Sequence, residues 1–162
     1  MENSPYKQCQ VYKKCSGCQL QNMDYESQLR WKQGLVNRLL SSFCRVNPII
    51  GMKAPVHYRN KAQAVLRTVK GGKLVSGVYQ SKTNGVVSTD TCMLNTEKAN
   101  EIIASVRALL KSFKLRPYNP YDGSGFFKHV LVRQGFQSGE IMVVLVTSTI
   151  TCLLYTSPSP RD

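Results

Sequence analysis

Three cysteines crowd the start of the chain as Cys9-x5-Cys15-x2-Cys18, and a fourth, Cys92, stands far downstream. The first twenty residues around the triplet carry little periodic hydrophobicity, so this segment reads as an irregular loop organised by whatever its thiolates bind. Four thiolates suit either a tetrahedral zinc or an iron–sulfur cluster, and spacing alone favours the zinc. Three local ligands closed by a distant one also match a ferredoxin-like layout. Either occupant requires a fold that returns Cys92 to the loop; otherwise Cys92 is a small buried thiol. Gly17, between Cys15 and Cys18, has no Cβ to keep backbone amides from turning towards sulfur. Cys44, without a cysteine neighbour, is expected to be a buried thiol.

The N-terminus has no signal-like apolar region, and no stretch approaches the ~18–20 apolar residues of a membrane span. A cytoplasmic location is expected, where thiols act as ligands or core residues in preference to disulfides. Lys and Arg number 22 against 9 Asp and Glu, a formal charge of +13. From Lys7 to Lys73 lie 13 basic residues, opposed only by Asp24 and Glu26. Such an imbalance points to a polyanionic partner, RNA before an anionic membrane.

Residues 1–22 form the cysteine-rich loop, and 23–151 form an α+β domain: an antiparallel sheet with two helices packed on it. Asn22 is the expected cap of the first helix, whose apolar face is Tyr25, Leu29, Val36, Leu39, Leu40 and Phe43. From about Gln63 the period becomes two, a strand ends at Val69, Gly71-Gly72 supplies a two-residue turn, and Leu74–Tyr79 returns. Asn84-Gly85 turns the chain into a short strand at Val86. A second helix is capped by Asn95 or Thr96, with Ala99, Ile102, Ile103, Val106, Leu109, Leu110 and Phe113 on one face. His129–Phe136 and Glu140–Ser148 then form a hairpin around Ser138-Gly139. The segment 152–162, CLLYTSPSPRD, reads as a translated sequencing adapter and is set aside as non-native; Cys152 goes with it, and the natural protein is expected to continue.

An ordered series of phrases accompanies the cysteines: Cys18-Gln-Leu-Gln21, Tyr58-Arg-Asn-Lys61, Gly77-Val-Tyr79, Cys92-Met-Leu94, Lys128–Arg133 and Gly139–Val144. From Cys9 to Thr147 this series resembles the central domain of the bacterial 23S ribosomal RNA (uracil-5)-methyltransferases. The resemblance implies that Cys9, Cys15, Cys18 and Cys92 hold a [4Fe-4S] cluster, reversing the zinc preference. It also implies a three-part enzyme: an OB-like RNA-binding domain, this cluster-bearing domain, and a Rossmann-like domain for S-adenosylmethionine. Members of that family are understood to add a cysteine thiolate to uracil C6, let C5 attack the methyl sulfonium, and remove the C5 proton with a carboxylate. The Ser-Cys-Asn/Asp-Pro-like loop and Gly-rich cofactor loop this chemistry needs do not occur here. No catalytic or S-adenosylmethionine-binding residue is therefore assigned, and this fragment alone is expected to be inactive.

Tyr58, Arg59, Asn60 and Lys61 combine an aromatic face, a bidentate fork, an amide and a point charge, a set suited to stacking a base and holding phosphate. They equally suit a strand-leading turn with a solvated basic edge. His129 and Arg133, four residues apart on one strand face, extend the expected RNA surface, and Lys7, Lys13 and Lys14 flank the cysteine loop. The expected partner is ribosomal RNA and the expected state a monomer. The competing readings are a self-contained zinc- or iron–sulfur-stabilised RNA-binding module and a small electron carrier.

Overall fold

The computed structural model describes residues 9–81 and 83–148. Lys7 and the 152–162 tail, with its Cys152, lie outside the described residues.

Helix α1 spans Tyr25–Leu40 and is capped by Asp24, not Asn22. Asp24 Oδ1 accepts from Ser27 N at 2.8 Å and Oδ2 from Ser27 Oγ at 2.6 Å, so an amide otherwise left open by the first turn finds its acceptor there. The expected apolar face does not pack into the core. None of the helix is buried, and Val36, Leu39, Leu40 and the following Phe43 are exposed. Instead, α1 holds the extended segment that follows it. Gln33 accepts from Ile49 N at 2.5 Å and donates to Asn47 O at 3.2 Å, and the Tyr25 hydroxyl accepts from Met52 N at 2.7 Å.

The sheet is antiparallel in the order β3-β2-β1-β4-β5, built from β1 (Lys61–Thr68), β2 (Leu74–Tyr79), β3 (Val86–Ser88), β4 (Phe127–Gln134) and β5 (Ile141–Thr147). The α+β class is as expected. The turn between β1 and β2 is one residue longer than expected. Val69 N donates to Lys73 O at 2.9 Å around Lys70-Gly71-Gly72, and both glycines have positive φ (84° and 76°), which glycine adopts without steric cost. β4 begins at Phe127 instead of His129 and ends at Gln134, leaving Phe136 exposed in the hairpin loop.

Helix α2 (Glu97–Ser112) is the helix that packs on the sheet. Thr96 caps it by accepting from Ala99 N at 3.3 Å. Its Ala99, Ile103 and Leu110 meet Ala62, Ala64 and Leu66 of β1 and Phe127, Val130 and Val132 of β4. The two strand alanines leave room for the helix, and burial of each large apolar side chain contributes ~1.5–3 kcal/mol. Ile102 and Val106 pack at the margin, but Leu109 and Phe113, expected on the same face, are exposed. Alternation along β1 and β4 therefore turns Lys61, Gln63, His129 and Arg133 to the sheet face opposite α2.

Candidate functional site

The loop bearing the cysteine triplet is wound by its own backbone. Cys15 N donates to Val11 O at 2.8 Å and Tyr12 N to Cys9 O at 3.3 Å. Gly17 N then donates to Cys15 Sγ at 3.4 Å, the amide-to-sulfur contact that an unobstructed glycine permits. Cys92 lies between β3 and α2, where its carbonyl accepts from Asn95 N at 3.2 Å and Asn100 Nδ2 at 3.0 Å. Two residues upstream, Asp90 pairs with Arg107 of α2, and both bond Ser76 Oγ, at 3.2 and 2.9 Å. Cys92 is thereby anchored on both sides.

Residues 57–59 tie the two cysteine segments together. His57 N donates to Met93 O at 2.8 Å and Arg59 N to Leu94 O at 2.9 Å, while Arg59 Nη2 donates to Gly17 O at 3.0 Å. One residue thus grips the Cys92 segment with its backbone and the Cys15–Cys18 turn with its side chain. Gln21 Nε2 adds a bond to Met93 Sδ at 3.2 Å, and Ser16 Oγ one to Tyr79 O at 3.0 Å. His57 has a positive φ of 55° and places its ring Nδ1 2.7 Å from Asn95 O, a contact that holds an otherwise disfavoured backbone.

Cys18 lies within electrostatic reach of the other three cysteines. Burial pushes its thiol pKa up, the Arg59 guanidinium draws it down, and the charges of Cys92, Cys15 and Cys9 push it up again. Cys9, Cys15, Cys18 and Cys92 are all partly buried, whereas Cys44, expected in the core, is exposed just beyond α1. Among the described residues, no three or more His, Cys, Asp or Glu side chains stand close enough together to enclose a metal ion.

The basic residues divide by role. Arg59 is engaged by the Cys15–Cys18 turn, while Tyr58, Asn60 and Lys61 are exposed. Lys61 pairs directly with Arg133 across β1 and β4, and Val65 with His129. Lys13 and Lys14 are exposed beside the cysteine loop. Sequence reasoning missed His57 and the Ser76–Asp90–Arg107 group, and gave Gln21 no contact beyond its place in the Cys18–Gln21 phrase; their partners are 14 to 72 residues apart, and no local pattern marks such contacts.

No protein-family model matches the chain. An uncharacterized RNA methyltransferase of Clostridium acetobutylicum is 38% identical over 148 residues, covering 87% of this chain and 32% of that protein. One of Halalkalibacterium halodurans is 40% identical over 144 residues, covering 86% and 31%. Over most of its length this chain is therefore similar to proteins named as RNA methyltransferases. It spans about a third of the length of the curated relatives it matches. Among solved structures, this chain is similar to the Pyrococcus abyssi tRNA (uracil-54, C5)-methyltransferase in complex with S-adenosyl-L-homocysteine. The TM-score is 0.65 at 25% identity, covering 83% of this chain and 31% of that one. No helix among the described residues is long and apolar enough to cross a membrane.

Proposed function

We propose that this chain is the cluster-bearing, RNA-binding module of an S-adenosylmethionine-dependent RNA (uracil-C5)-methyltransferase, with methyl transfer performed by sequence outside it. The observation that carries the reading is the double grip of Arg59 on Gly17 and Leu94, which ties the Cys15–Cys18 turn to the segment that follows Cys92. In support of a [4Fe-4S] cluster stand four partly buried thiols, an amide directed at Cys15 Sγ, and an electrostatic neighbourhood shared by Cys18 with Cys9, Cys15 and Cys92; the four sulfurs would have to draw closer together to enclose it. When bound, the cluster supplies an inorganic crosslink between a loop and a fold that share little apolar core.

RNA binding is supported by the pairing of Lys61 with Arg133. Like charges directly opposite on neighbouring strands are destabilising, and phosphate between them removes that repulsion. Replacing either by Ala should reduce the slope of log affinity against log salt for single-stranded RNA by about 0.7. An unchanged slope in both variants would count against RNA contact on this face. The 23S ribosomal RNA target implied by the sequence resemblance competes with transfer RNA, the substrate class of the Pyrococcus abyssi neighbour. Binding to transcripts of each separates them. This chain alone should transfer no labelled methyl group to either RNA, and transfer would overturn the division of labour.

A further inference from the structure

A cleft of about 420 Å³ opens between the Cys18–Tyr25 segment, α1 and the 52–59 stretch. Its size falls in the range of small-molecule sites, ~300–1,000 Å³. Tyr25 and Tyr58 contribute aromatic rings to the lining, and Met23, Met52 and Leu94 contribute apolar surface. Gln28 donates through Nε2 to Met23 O at 3.1 Å, which leaves its carbonyl oxygen as an acceptor for N–H groups on a base edge. Lys32 also lines the cleft and takes part in no ion pair among the described residues. Asp24 is the single acid of the lining, and both its oxygens already accept from Ser27.

We infer that this cleft receives one unstacked nucleotide, its base against Tyr58 and the thioether-lined wall and its phosphate towards Lys32. Flat aromatic and sulfur surfaces suit the π-face of a base, amide groups suit its edge, and an ammonium suits its phosphate. Tyr58 stands three residues before Lys61, a reach of at most ~10 Å along an extended chain. A strand held at the Lys61–Arg133 pair can therefore place a neighbouring base in the cleft. The inference rests on the RNA-binding reading above and adds a base-recognition site to it.

The test compares binding of a fluorescent ten-residue oligouridylate with that of an abasic ribose-phosphate chain of equal length, with free uridine 5′-monophosphate as competitor. The wild type should bind the base-bearing oligomer about tenfold more tightly, Tyr58→Ala should bind both alike, and Tyr58→Phe should retain the preference. Equal binding of both oligomers by the wild type, with a normal salt slope, would overturn the cleft while leaving RNA binding intact. Failure of both oligomers to bind would overturn the RNA reading beneath it. Strong binding of the free nucleotide without binding of the oligomer would overturn the strand-borne ligand in favour of a mononucleotide site.

Discussion

Gly77 illustrates how one residue can decide whether a distant site forms. A Cβ there would collide with the Val87 carbonyl oxygen, so only glycine lets β3 lie this close to β2, and β3 leads directly to Cys92. Gly77→Ala should lower stability by ~1–3 kcal/mol in urea unfolding, the usual cost of overpacking. Arg107 acts on the same approach through Asp90 and Ser76; Arg107→Ala should cost ~1 kcal/mol by removing the cation from Asp90 and one of the two hydrogen bonds of the buried Ser76 hydroxyl. At the cysteines, Cys15→Ser should abolish retention of the visible chromophore expected of the proposed cluster, whereas the exposed Cys44→Ser should leave it intact. Equal loss from both would break the ligand assignment. The cysteine triplet could be picked out from the sequence because its spacing is local. The grip of Arg59 could not, since its side chain meets Gly17 42 residues away and only the folded sheet sets that distance.

Elements were legible where local chemistry and tertiary packing agree. Helix α2 has a cap, an acid in its first turn and an apolar stripe that meets the sheet, and it forms where periodicity places it. Thr96→Ala should destabilise it by ~1 kcal/mol, measured by thermal or urea unfolding. Helix α1 has an equally regular stripe that meets no core, because it packs instead on the following strap, through hydrogen bonds of Gln33 and Tyr25 and the approach of Leu29 to Gly51; periodicity alone cannot tell an apolar face that is buried from one that is exposed. Asp24 titration offers a handle on α1. Hydrogen bonds from the side chain and backbone of Ser27 hold its carboxyl below the usual range, so its contribution is present above the ordinary carboxylate pKa and is lost as pH falls through the depressed value. The ellipticity at 222 nm should decline on that acid limb, and Asp24→Asn should flatten the decline; identical acid profiles would remove Asp24 as its source.

Across the whole molecule, one sheet face is covered by α2 and the other presents the Lys61–Arg133 pair, with the cysteine loop fastened at the end where β1 begins. The +13 charge pointed to a polyanionic partner but not to the surface that would meet it, since charge counts carry no register; the pairing of β1 with β4 is what sets Lys61 beside Arg133 on the face proposed above. The four cysteines belong to two segments joined through residues 57–59, so an inorganic centre here would lock loop to sheet. Removing it by chelation should loosen the loop before the sheet unfolds. The most direct measurement is iron, acid-labile sulfide and zinc content after anaerobic purification. About four iron atoms and four sulfides per chain, the content of one [4Fe-4S] cluster, is the predicted result; stoichiometric zinc without sulfide would contradict it.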